Sequence, residues 1–134
     1  VSWSNFAMAD LTGAQLKGTQ AAFATWEHAT LTRAQLAGSH LSGGRFYRAD
    51  LSGVNAEGAN FFAADLSRAN LTSARLTRAD LRSADLRGAD LRGAWLDEAQ
   101  LEGAIFSAET LSSLSREELK RRGMRFSEAR IAGE

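Results

Sequence analysis

Ala64-Asp65-Leu66-Ser67-Arg68-Ala69-Asn70-Leu71-Thr72-Ser73-Ala74-Arg75-Leu76-Thr77-Arg78-Ala79-Asp80-Leu81 repeats one pattern every five residues. A small residue, a polar one and a leucine come first; two polar, charged or glycine positions follow. Extended in both directions, the period runs almost unbroken from Ser4 to Leu111. Every fifth position from Phe6 to Leu111 gives 22 sites, of which fifteen are Leu, four Phe, one Trp and two Ala. Two places before each site, from Ser4 to Ala104, sixteen of 21 residues are Ala. No ordinary element carries this period: an amphipathic helix needs a spacing near 3.6 and a half-buried strand a spacing of 2. On a helix, steps of five would advance by about 140° and smear the leucines around the cylinder. The offset of two between Ala and Leu is strand-like, with both on one side and the residue between them on the other.

A short extended piece followed by a sharp turn, repeated every five residues, buries both columns. Gly13, Gly18, Gly38, Gly43, Gly53, Gly58, Gly88, Gly93 and Gly103 fall at the last repeat position, where a turn calls for permissive backbone. The chain is thus expected to wind around a narrow interior. The expected core is Phe6, Leu11, Leu16, Trp26, Leu31, Leu36, Leu41, Phe46, Leu51, Phe61, Leu66, Leu71, Leu76, Leu81, Leu86, Leu91, Leu96, Leu101, Phe106 and Leu111.

The pattern resembles the pentapeptide repeat family, whose signature is A-(D/N)-L-x-x, over residues 4–111. The resemblance implies an all-β fold: a right-handed quadrilateral parallel β-helix, a β-solenoid with four pentapeptides per turn. The residues offer their own test of the 20-residue turn. Phe6, Trp26, Phe46 and Phe106 fall in one column of 20-residue spacing, and only Phe61 among the bulky aromatics of this series lies outside it. Ala21 and Ala56 replace the large residue in turns that hold Phe6, or Phe46 and Phe61, as compensation for volume. At ~4.8 Å between turns, the repeats make a rod about 26 Å long.

After Leu111 the period fails, dividing the chain into a coil at 4–111 and a C-terminal segment at 112–134. Ser115-Arg116-Glu117-Glu118 reads as a capping box, and Gly123 as a stop, giving a short capping helix at about 116–122 followed by an extended piece. Leu114, Leu119, Met124 and Phe126 give this segment an apolar side. Trp95 and Ile105 stand where Asp or Asn is usual. These six residues are read as contacts to a cap or to a partner, including a second copy joined at the C-terminal end. The N-terminal end shows no cap, and the coil is expected to be part of a larger protein.

Sixteen Lys and Arg balance sixteen Asp and Glu, and there is no Cys. Thiol chemistry and disulfides are excluded. The neutral balance gives no global reason to bind nucleic acid. No apolar run reaches the roughly 20 residues a membrane span requires. His28 and His40 lie on different turns without a nucleophile or carboxylate at fixed spacing, so catalysis, metal sites and cofactors are not expected. The column Thr12, Thr32, Thr72 is interrupted by Ser52 and Arg92 and makes no flat threonine face. Arg82, Arg87 and Arg92 circle one turn, and with Asp80, Asp85 and Asp90 read as a solvated surface. Trp3 and Phe23 are expected to stack, Arg82 to lie over Phe62 and Arg75 over Trp95.

The expected function is a non-catalytic protein-interaction or scaffold module with a protein partner and a cytoplasmic location. The resemblance implies a second reading. Several bacterial members bind DNA gyrase and topoisomerase IV as dimeric, duplex-shaped rods and confer resistance to quinolones or toxins. Their surfaces are strongly acidic, and this chain departs from them there.

Overall fold

The structure is a computed structural model that describes residues 3–112, 114, 130 and 131. The polar residue between each small and large residue pairs in parallel with the residue 20 places on, from Asn5 with Thr25 to Asp85 with Ile105. Each coil of this β-solenoid therefore takes four pentapeptides. Four backbone hydrogen bonds define the repeat; in one, the turn residue's N–H donates to the next coil, as Ser73 does to the Arg92 carbonyl (2.9 Å). The Leu71 N–H donates to the Asp90 carbonyl of the next coil (2.8 Å), and the Asn70 N–H to Ala49 of the previous one (2.9 Å). The Ala74 N–H closes the turn back to the Leu71 carbonyl at 3.1 Å.

That last bond spans four residues, and the third has positive φ, as a type II turn requires. Twelve of these turn residues are not glycine, among them Phe23, Arg48, Arg68 and Ser83, at φ values of 55–65°. The ladder above and below imposes the left-handed conformation even where a side chain costs about 1 kcal/mol. Glycine answers a second demand, lateral clearance. A Cβ at Gly43 would lie 2.5 Å from the Phe23 ring, and one at Gly88 3.0 Å from Arg68 Cγ. At Gly38, one coil after Gly18, nothing lies near.

The interior is continuous from Ala21 to Phe106, and nearly every Ala and Leu of the two columns in that span is buried. Phe6, Leu11 and Leu16, in the first coil, are only partly buried against it, because no described coil covers them. The stack Phe6–Trp26–Phe46 has ring centroids 4.4 and 5.5 Å apart, and Phe61 meets Phe46 edge-on at 5.5 Å. The Trp26 indole N–H, buried in this stack, has no hydrogen-bond partner. Gly44 replaces alanine in the small column because a Cβ there would sit 2.7 Å from the Phe46 ring.

Coil gives way to helix earlier than the expected boundary at 111. Strand β1 (Ile105–Phe106) is followed by helix α1 (Ala108–Ser112), and β1 pairs in parallel with β2 (Arg130–Ile131). Leu111 thus sits on a helix, partly buried, and Ile105 is half-buried in a strand. Ser107 caps α1: its carbonyl accepts from the Leu111 N–H (3.1 Å) and its hydroxyl from the Thr110 N–H (3.3 Å). With that carbonyl taken, Gly88 N–H, which the coil pattern would direct to it, donates instead to Ser107 Oγ at 3.1 Å. Buried Thr110 donates its hydroxyl to the Leu86 carbonyl at 2.9 Å. The helix expected at 116–122 lies outside the described residues.

Candidate functional site: the outward columns

Outward side chains stand in columns 20 residues apart, one rung per coil, so the sequence converts directly into a surface map. Several rungs interlock: Asn55 Nδ2 donates to Gln35 Oε1 at 3.2 Å, and the hydroxyls of Thr32 and Ser52 lie 3.5 Å apart. Outward Asp and Asn residues cap their own turns, as Asn70 Oδ1 does by accepting from the Thr72 N–H (3.1 Å) and hydroxyl (2.7 Å).

Asp80, Asp85 and Asp90 have a further task. Each accepts a two-pronged fork from the arginine two residues on. Arg82 reaches Asp80 with Nε at 2.9 Å and Nη2 at 2.8 Å; Arg87 reaches Asp85 at 2.9 and 2.6 Å. Arg92 repeats the arrangement on Asp90. These forks hold all three carboxyls below the usual carboxylate range, against the opposing effect of partial burial. The Thr12 hydroxyl acts similarly on Asp10. The forks also settle a local conflict, because Asp65 and Asp85 are neighbours on one ladder and would repel.

Of the expected contact residues, Trp95 is 53% exposed and Leu114 is buried, while Leu119, Met124 and Phe126 lie outside the described residues. Trp3 stacks on Phe23 with centroids 5.0 Å apart, and both are exposed. Arg82 lies 5.6 Å from the Phe62 ring centroid. Arg75 instead directs its guanidinium to Glu57 at 3.5 Å. His28 and His40 are both exposed and lie on separate columns. Among the described residues no cluster of His, Cys, Asp or Glu could hold a metal ion, and no helix is long and apolar enough to cross a membrane.

One arrangement escaped the sequence reading, which followed arginines around a coil rather than along the solenoid. His28, Arg48 and Arg68 share a turn position in three consecutive coils, with φ values of 57, 55 and 56°. Their spacing of 20 was the available signal.

The pentapeptide repeats model matches the chain with eight copies over residues 9–53, 29–68 and 69–107. A search of curated proteins gave no match. Among solved structures, the chain is similar to the pentapeptide repeat protein Rfr23 from the cyanobacterium Cyanothece 51142. They are 31% identical with a TM-score of 0.68, covering 72% of this chain and 65% of that one. It is also similar to a pentapeptide repeat protein of the Arabidopsis thaliana thylakoid lumen. There the identity is 25% and the TM-score 0.71, over 74% of this chain and 69% of that one.

Proposed function

Because the chain belongs to the pentapeptide repeat family, we propose that it is a non-catalytic scaffold module whose solenoid presents fixed side chains to a protein partner. In this reading the coil is a right-handed, four-sided rod, and residues 112–134 close its C-terminal end. One observation carries the reading. Outward side chains are held in register by parallel pairs 20 residues apart, so neighbouring rungs keep a constant spacing without any loop to rearrange. Such a surface is pre-organised, which lowers the ordering cost of association. Its aspartates are engaged with their own turns and arginines rather than gathered around a cleft. A duplex mimic would need excess anionic surface, whereas here positive and negative residues are equal in number.

Two measurements test this. Photo-crosslinkers placed at Ser73 and at Arg92, on exposed turns, should capture the same partner from the native cell extract, and unlabelled protein should compete. In a supercoiling assay with purified DNA gyrase, with and without a quinolone, micromolar protein should have no effect. Protection of gyrase would replace the scaffold reading with the topoisomerase one.

A further inference from the structure

The described coils hold nine arginines between Arg33 and Arg92. Six of them, Arg45, Arg75, Arg78, Arg82, Arg87 and Arg92, form ion pairs with carboxylates of this chain. Arg33, Arg48 and Arg68 form none, and of these three Arg48 and Arg68 stand on adjacent rungs, about 4.8 Å apart along the solenoid. Like charges so placed repel. Two arginines on adjacent rungs without a carboxylate depart from the pairing that six others keep, and functional or strained sites are where such departures are expected.

Both side chains are exposed, and each lies beside a neighbour. Tyr47 anchors one end: the Arg48 guanidinium lies 5.4 Å from its ring centroid, and His28 packs edge-on against it at 5.9 Å. The Arg68 stem lies beside Gly88, where an added Cβ would come 3.0 Å from its Cγ. It borders a groove of about 370 Å³ lined by Ser67, Arg87, Ser107 and Glu109 as well.

We propose that the Arg48–Arg68 ridge, with His28 at its end, is the docking site for a short acidic segment of a partner protein, lying extended along the solenoid. The proposal rests on the protein-binding reading above and names the chemistry of the partner. Alternate residues of an extended chain are about 6.6 Å apart, a step that two flexible arginine side chains on adjacent rungs can follow. The molecule displays the intended contact on its own surface in the forks of Arg82 on Asp80 and Arg87 on Asp85. A nucleic acid fits worse: binding it takes several phosphate contacts, whereas the ridge offers two arginines on a chain whose positive and negative charges balance.

The test is fluorescence anisotropy at low salt with a fluorescein-labelled Glu-Ala-Glu-Ala-Glu peptide. A Gln-Ala-Gln-Ala-Gln peptide and a five-nucleotide oligothymidylate serve as comparison probes. Wild-type protein should bind the glutamate peptide, and Arg48→Gln/Arg68→Gln should weaken binding about tenfold or more. Lys17→Gln/Arg33→Gln removes the same charge from other columns and should change binding less than about threefold. Equal losses in both double variants, equal binding of the glutamine peptide or the oligothymidylate, or no binding by the wild type would each overturn the ridge. The last result together with successful crosslinking would leave the scaffold reading intact; crosslinking that fails while the glutamate peptide binds would reverse that outcome.

Discussion

Phe23 lays its ring where a β-carbon on Gly43 would have to stand, 2.5 Å away. The contact separates two roles of glycine that the sequence merges. Gly38→Ala should cost only the left-handed strain, about 1 kcal/mol. Gly43→Ala adds a clash with an aromatic ring, worth about 1–3 kcal/mol more. Urea denaturation of both variants checks this. In the background Phe23→Ala, the excess cost at Gly43 should vanish as a coupling energy; an equal cost at both glycines would refute lateral clearance.

How far the sequence spoke can be judged from such pairs. The five-residue period located the column from Trp26 to Phe106 because size alone decides what fits an interior this narrow. Glycine at the last repeat position marked a turn residue of positive φ, which all nine of those glycines have, although Phe23, Arg48 and Ser83 adopt the same conformation without being glycine. The onset of α1 was missed because Leu111 keeps the five-residue phase while sitting on a helix. Its signal was Glu109, which occupies a small-residue place just after the capping Ser107. The Arg48–Arg68 ridge could be located by counting in twenties. Its lack of counter-ions could not, because that depends on where long side chains reach, as Arg78 does to both Glu57 and Glu98.

Leu71→Asp or Leu81→Asp should abolish cooperative unfolding, since either places an unpaired charge in a fully buried column. Leu81→Ala should be milder, at about 2–5 kcal/mol. Circular-dichroism melts distinguish the two, and a wild-type transition in Leu81→Asp would contradict the inward placement.

Acid should weaken the fold through the forked carboxyls. Asp80, Asp85 and Asp90 titrate lower when folded than when unfolded, so their contribution is complete above the ordinary carboxylate range. It is lost as pH falls below about 4 toward the lowered folded values. Stability measured from pH 6 to pH 2.5 should therefore decline, and Arg82→Gln/Arg87→Gln/Arg92→Gln should flatten that decline. An unchanged acid limb in the triple variant would show that the forks do not stabilise the charged carboxyls. At neutral pH the single variant Arg87→Ala should leave the melting transition close to that of the wild type.

Thr110→Val keeps the shape and removes the hydroxyl that serves the Leu86 carbonyl. The expected cost is about 1–2 kcal/mol, confined to the last coil. Hydrogen exchange should accelerate at Gly88 and Thr110 while Leu51 stays protected; uniform acceleration along the solenoid would mean that the cap governs the whole fold.

The constant offset of 20 between paired residues has a genetic corollary. Inserting one amino acid inside a repeat would shift every later side chain off its column, sending leucines to the surface. Five extra amino acids would preserve what faces inward but move each later outward column to its neighbour's place, scattering the Arg48–Arg68 pair if added between them. Only whole coils can be gained or lost while every column survives, so lineages of such a protein should differ in length by multiples of twenty.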